Sequence, residues 1–231
     1  MCLCRHCFGF RADVKNPLQW LEGNHLAYPA GHTIVIMNTD TRTQRFIPCT
    51  ASASSITAIA ISPNLKSLAV AEAPSADGDT RACISVYDLQ TLKRRKTLST
   101  TETGNAVFVD LHFSPDSRNL LSQAGAPDWT LLLWSWEKAK VASAVRTGAP
   151  AAALLSVRFT PGDSGLVSVL GTNFLRILRC VDGTLKPGVQ PLTKRDPQEF
   201  LSQVCLSLDL CSCLSPHIPP TSHSCKHFCM H

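Results

Sequence analysis

The chain has 231 residues, 44% of them hydrophobic and 17% charged, with a formal net charge of +5 and 11 cysteines. That length suits one or two domains with a sizeable core, and the apolar content with both charge signs excludes a chain disordered throughout. No run reaches the roughly 18 uncharged apolar residues of a membrane helix. The first stretch, 1–15, carries Arg5, Arg11 and Asp13 without an apolar segment, which is not a secretory signal. A cytosolic chain with reduced thiols is the expectation. Residues 1–15 read as a Cys-containing, unstructured leader. Cys4-Arg5-His6-Cys7 spells CxxC, but redox use needs that motif after a strand and opening a helix.

A first, weak unit of four short strands follows: Trp20-Leu21, Leu26 to Tyr28, Thr33 to Met37 and Arg45 to Ile47. Three stronger units then align without gaps, on Thr57-Ala58-Ile59-Ala60-Ile61-Ser62-Pro63-Asn64, Val109-Asp110-Leu111-His112-Phe113-Ser114-Pro115-Asp116 and Leu155-Ser156-Val157-Arg158-Phe159-Thr160-Pro161-Gly162. Each is an alternating strand that runs into Ser/Thr-Pro and a turn former, because proline cannot donate to a ladder and fixes φ. A leucine stands six residues after each Ser or Thr (Leu68, Leu120, Leu166) and opens a second strand. Third strands are expected at Ile84–Tyr87, Leu131–Trp134 and Phe174–Leu178, and fourth strands at Lys96–Ser99 and Val141–Arg146. Lys93-Arg94-Arg95-Lys96 reads as a solvated hairpin rather than a nucleic-acid or import signal.

Four strands per ~40–45 residues is the period of a β-propeller blade of the WD-repeat kind. The predicted fold is therefore all-β: an incomplete WD-repeat propeller of about four blades, near 18–47, 56–99, 107–147 and 154–190, within a body at 16–200. The signature is degenerate. Where Trp-Asp belongs, the units carry Met37-Asn38, Tyr87-Asp88, Trp134-Ser135 and Leu178-Arg179, and a kelch-like or other propeller is the competing fold. Four blades fall short of the usual ring, so open faces and self-association are expected.

From 204 to 231 the character changes: two charged side chains, Asp209 and Lys226, but five cysteines and four histidines. No blade pattern or helical stripe is legible there. The segment is read as a disordered Cys/His-rich tail, an alternative terminus grafted after Gln203. Cys225 and Cys229 loosely match zinc-ligand spacing, whereas Cys211 and Cys213 stand too close, and His217, His223 and His231 complete no motif. His25 and His32 lack a nucleophile motif, and His112 is expected on a blade surface. Trp129, Trp134 and Trp136 read as blade packing rather than a base-stacking platform. No catalytic, cofactor or metal residue is assigned, and neither a nucleic-acid nor a membrane partner.

Several collinear segments carry a resemblance: Phe46-Ile47-Pro48, Ile61-Ser62-Pro63-Asn64, Phe113-Ser114-Pro115-Asp116-Ser117, Leu120-Leu121-Ser122-Gln123, Trp136-Glu137-Lys138-Ala139-Lys140-Val141, Asp182-Gly183-Thr184-Leu185-Lys186 and Pro197-Gln198. From Phe8 to Leu201 the chain resembles the amino-terminal part of the cilia- and flagella-associated protein fifty-seven family, axonemal WD-repeat proteins with long coiled coils. The resemblance implies a non-enzymatic scaffold of motile cilia that helps assemble or position inner dynein arms, with axonemal partners. A general cytosolic WD-repeat adaptor, of the trafficking or ubiquitin-ligase type, is the alternative.

Overall fold

The computed structural model describes residues 6–50, 53–75, 81–104, 106–127, 129–147, 154–171, 174–188, 202–207, 210–214 and 228–229; for 154–155 and the segments after 200 it describes the backbone alone. Four antiparallel sheets of four strands each follow in chain order. Blade 1 is β1 (Gln19–Leu21), β2 (His25–Ala30), β3 (Thr33–Asn38) and β4 (Gln44–Pro48). Blade 2 is β5 (Ile56–Ile61), β6 (Ser67–Glu72), β7 (Cys83–Asp88) and β8 (Arg94–Leu98). Blade 3 is β9 (Phe108–Phe113), β10 (Leu120–Ala124), β11 (Thr130–Ser135) and β12 (Lys140–Arg146). Blade 4 is β13 (Leu154–Thr160), β14 (Asp163–Gly171), β15 (Phe174–Val181) and β16 (Thr184–Pro187). Within each sheet sequential strands are neighbours, and the first strands β5, β9 and β13 stand side by side. This is an incomplete WD-type propeller.

The aligned Ser-Pro motifs build one turn twice. In blade 2, Ser67 N donates to Ser62 Oγ (2.9 Å), Ser62 Oγ donates to Asn64 Oδ1 (2.7 Å), and Lys66 N donates to the same Oδ1 (3.1 Å). In blade 3, Asn119 N, Ser114 Oγ and Arg118 N repeat these bonds onto Ser114 and Asp116 at 2.9, 2.5 and 3.1 Å. Leu65 and Ser117, at φ 56° and 61°, take the left-handed position of each turn. The serine hydroxyl and the Asx side chain supply the partners that a proline turn cannot find in the ladder. Blade 4 differs: Thr160 pairs directly with Asp163, and Gly162 (φ 78°) makes the bend.

In blades 1 and 2 the second residue of the degenerate Trp-Asp pair has a local task. Asn38 Oδ1 accepts from Asp40 N and Thr41 N (3.0 and 2.8 Å), and Asp88 Oδ1 from Gln90 N and Thr91 N (3.0 and 2.8 Å), so both cap the turn into the fourth strand. In blade 4 the third strand does not stop at Leu178-Arg179. It runs on to Val181 and turns through Asp182 and Gly183 (φ 51° and 73°) into β16, a two-residue hairpin that favours Asp-Gly.

Packing between blades is sequential. One face of blade 1 (Leu21, Ala27, Ile34, Ile36, Ile47) joins blade 2 through Ile56, Ile59, Leu68 and Val70. The other face of blade 2 is small along its first two strands, with Ala58, Ala60, Ala69 and Ala71, and together with Ile84, Val86 and Leu98 it shares a core with the bulky Phe108, Phe113, Trp134 and Trp136 of blade 3. Small against large lets two flat sheets fill space without a cavity. Leu121, Leu131 and Leu133 then carry blade 3 onto Val157, Phe159, Val167 and Val169 of blade 4.

One sequence expectation is corrected here, that of an unstructured leader. The described part of the leader is tied down: Arg11 N donates to Pro29 O (3.0 Å), Lys15 N to Thr57 O (2.9 Å), and Ile59 N to Lys15 O (3.1 Å). Lys15 thereby forms a parallel bridge beside β5, and Val14 is 2% exposed. The basic run is a solvated part of the β7–β8 hairpin, as read: Lys93, Arg94, Arg95 and Lys96 are all exposed, and only the strand start differs, since β8, the outer strand of its sheet, begins at Arg94. After the blades, β17 (Ser202–Ser207), β18 (Leu210–Leu214) and β19 (Phe228–Cys229) form a three-stranded antiparallel sheet, with β17 alongside β13. Valine, leucine and cysteine, with Asp209 the one charged residue between 202 and 214, give that stretch strand propensity. The rest of the tail, with Cys225, His217, His223 and His231, and Cys2 and Cys4 of the leader, lies outside the described residues. Among the described residues no helix is long and apolar enough to cross a membrane.

Candidate interaction surface

The polar residues of the inner strands meet at the seam of blades 3 and 4. Asp110 on β9 is 1% exposed, and its carboxylate accepts from Val157 N, Arg158 Nη1, Asn16 Nδ2 and Leu111 N, each at 2.9 Å. Arg158 also donates to Asn16 Oδ1 (2.8 Å) and to its neighbour's carbonyl, Val157 O (2.7 Å). A buried carboxylate is tolerable only when paired and fully hydrogen-bonded, and here four donors saturate it. The segment before β1 is thus pinned to blade 2 through Lys15 and to blades 3 and 4 through Asn16. Burial pulls the Lys15 ammonium below its ordinary range, with Asp110 opposing that shift and Arg158 adding to it.

His112, expected on a blade surface, is instead wedged in the same seam. Its Nδ1 accepts from Phe159 N (3.2 Å), and its ring lies 6.1 Å from that of Phe159. In a stack of blades the alternate face of an inner strand looks at the next blade, not at water. Burial, with Arg158 nearby, pushes the His112 pKa down to about 3 from 6.5. The unfolded chain therefore takes up this proton first as pH falls, so the contribution is complete above about pH 6.5 and fades towards pH 3. We expect the wild type to lose about 2–3 kcal/mol through this group between pH 7 and pH 4. Urea midpoints at the two pH values read it: His112→Asn, which keeps an acceptor but does not titrate, should lose that much less.

A second buried carboxylate holds blade 1 to blade 2. Glu72, 1% exposed, accepts from Thr50 N (3.0 Å), Thr50 Oγ1 (2.7 Å), Ser85 Oγ (3.1 Å) and Cys83 Sγ (3.4 Å). Burial, reinforced by Glu72, pushes the Cys49 and Cys83 thiols up to about 12, so both are held protonated and poorly nucleophilic. An open cleft of about 400 Å³ adjoins Cys49, lined also by Thr50, Tyr87 and Arg94 among others. Among the described residues no three His, Cys, Asp or Glu side chains stand close enough to share a metal ion. His32 is exposed, and His25 leans its Nδ1 on Glu22 O (3.1 Å). Trp134 and Trp136 lie in the core between blades 2 and 3, while Trp129 is half-buried against the blade 4 cluster.

The face of blade 1 turned away from blade 2 carries a largely buried apolar cluster of its own, fringed by exposed side chains. Tyr28, Ala30 and Val35 form its centre, with Leu26, Met37, Phe46 and Cys7 packed around them. The leader crosses it: Cys7 N donates to Gln44 Oε1 (2.7 Å), Gln44 Nε2 returns a bond to Cys7 O (3.2 Å), and Phe10 approaches the Tyr28 ring at 6.3 Å. Cover is partial. Phe8, Phe10, Leu18 and Trp20 are 87%, 51%, 55% and 62% exposed, and Trp20 is paired across the sheet with Leu26 of the same face. Exposed large apolar side chains beside one blade face mark an interaction surface. Sequence reasoning foresaw open blade faces, but nothing in the pattern said that residues 7–11 would lie across one.

Comparison with known proteins bears on what such a surface serves. No family model matches the chain. Over 183 residues it is 31% identical to mouse "Cilia- and flagella-associated protein 57", which covers 78% of this chain and 14% of that protein. The chain resembles cilia- and flagella-associated protein 57. It is also 27% identical over 190 residues to the Tetrahymena thermophila protein "Cilia- and flagella-associated protein 57 C", and 27% identical over 172 residues to mouse "Cilia- and flagella-associated protein 44". These matches cover 78% and 74% of this chain. The chain spans only 14%, 14% and 9% of the length of the three relatives. What it shares with cilia- and flagella-associated protein 57 is accordingly an extent that matches the size of the blade stack, not the whole protein.

Proposed function

We propose that this chain is a non-enzymatic protein-interaction module of the ciliary or flagellar axoneme, acting within a scaffold that assembles or positions inner dynein arms. The observation that carries the reading is the similarity of about four-fifths of the chain to proteins named for association with cilia and flagella. The structure supports it with a rigid stack of sheets whose buried polar groups, Asp110 and Glu72, tie blade to blade, and whose first blade keeps an apolar face open. In this reading 16–200 is the interacting body, 1–15 the leader and 204–231 an appendage, with axonemal proteins, inner-dynein-arm components among them, as partners.

The test is a tagged chain expressed in multiciliated cells. Retention on detergent-extracted axonemes, and co-release with inner dynein arms by salt, is the expected result. A signal wholly diffuse or vesicular in the cytoplasm would overturn the reading in favour of a general adaptor.

The open face also carries self-association. Sedimentation of the purified chain should show concentration-dependent mass, and Trp20→Glu should reduce it by placing a charge on the blade 1 face. A monodisperse wild-type monomer over the same range would count against this role of the face.

A further inference from the structure

The basic run on β8 has no part in the contacts that define the proposed interaction surface, and its sequence has a second meaning. Arg94-Arg95-Lys96-Thr97-Leu98 sets two guanidinium groups three and two residues before a hydroxyl, with an apolar side chain directly after it. Arginine-directed serine/threonine kinases read such a pattern through carboxylates in their substrate groove, where paired Arg–carboxylate contacts give both energy and geometry. We propose that Thr97 is a phosphorylation site for a kinase of this class. This inference is independent of the ciliary reading.

The structure presents the segment in the form such a groove accepts. β8 is the outermost strand of blade 2, already extended, and Lys93, Arg94, Arg95, Lys96 and Thr97 are all exposed. Its hold on β7 is interrupted at the motif. Tyr87 pairs with Arg94 and Val86 with Lys96, so Arg95 is a bulged residue without a partner in the ladder. Bulges disrupt pairing locally and recur at sheet edges. Arg94 Nη1 donates to Thr50 Oγ1 (3.1 Å), and Arg95 stacks over the Trp136 ring at 5.3 Å, within electrostatic reach of Asp88. Both contacts lie at the surface, where they are weak and salt-sensitive. Leu98 is fully buried, so the kinase must lift the last residue of the strand, an opening of the low-cost kind that edge elements undergo.

In the transfer, Thr97 Oγ1 attacks the γ-phosphorus of Mg-ATP. The new O–P bond forms as the bond to the β,γ-bridging oxygen breaks, ADP departs, and the hydroxyl proton passes to the kinase's catalytic carboxylate. The product places nearly two negative charges opposite Ser85, whose hydroxyl is bonded to Glu72.

The experiment incubates the full chain with Mg-ATP and the purified catalytic subunit of cyclic-AMP-dependent kinase as the probe, and maps phosphate by peptide mass. About one phosphate per chain on Thr97 is expected, with incorporation about tenfold slower in Arg94→Ala/Arg95→Ala, which lacks both recognised charges. Thr97→Ser should retain the site and Thr97→Ala lose it; the wild-type mapping stands even if the alanine variant fails to fold. Phosphate mapped to Ser99, Thr100 or elsewhere, or a chain left unmodified while a peptide of residues 91–101 is readily labelled, would overturn the proposal.

Discussion

Replacing Trp134 with alanine is expected to destabilise the chain by about 3–5 kcal/mol, the range for removing a large buried aromatic. The side chain is 0% exposed and sits in the core that joins blade 3 to the alanine face of blade 2. Its indole Nε1 donates to Ser122 Oγ at 2.8 Å, so truncation also leaves a buried hydroxyl without its donor. Trp134→Phe keeps most of the volume and loses only the hydrogen bond, and should cost about 1–2 kcal/mol. Urea midpoints followed by circular dichroism at constant m-value decide the matter. A loss below about 1 kcal/mol for the alanine variant would mean that the seam can collapse around the gap, contrary to the tight packing described.

The second large effect lies at Asp110. Asp110→Ala should cost about 3–5 kcal/mol, because it strands the Arg158 guanidinium, the Val157 amide and the Asn16 side chain at one seam. Arg158→Ala should cost less. Asp110 then keeps three donors, and Arg158 is the more exposed partner, at 22% against 2% for the carboxylate. A double-mutant cycle on the pair should give a coupling of about 1–3 kcal/mol, as expected for a contact inside a shared network. Additive losses would show that Asp110 holds the backbone of blade 4 rather than its arginine.

Much of this fold is legible in the chain as written. The Ser-Pro-Asn and Ser-Pro-Asp segments announced strand ends, and the structure builds the same hydrogen-bonded turn at both, because proline, serine and an Asx residue at fixed spacing leave the backbone few alternatives. Period-two alternation located most strands of blades 1 to 3 within two residues, while in blade 4 it set β14 and β15 three residues short at one end and gave no sign of β16. The third aligned motif was the weaker guide: Thr160-Pro161-Gly162 has no Asx side chain in the position of Asn64 and Asp116, and its turn closes differently.

The interaction surface was less legible. Alternation alone marked Asp110 and His112 on one strand, and Arg158 on another, as polar-face positions, and a polar face of an isolated sheet belongs in water. In a stack of sheets it belongs against the next blade, and only the neighbour decides whether such a group is solvated or must find Phe159 N or four donors at 2.9 Å. The leader gave no signal at all, since Cys7 and Arg11 bind blade 1 mainly through their backbone N–H and C=O groups, which every residue possesses.

By itself the order of residues determined local things: where strands run, where they turn, how many four-stranded units recur, and which long relative the chain resembles. These follow from side-chain period and turn chemistry within a few residues of one another. The tertiary structure decided which faces meet, that an alanine face receives Trp134, that Asn16 is drawn to Asp110 across 94 positions of sequence, and that the leader lies over blade 1. Burial and hydrogen-bond saturation depend on partners distant in the chain, and no local pattern encodes them.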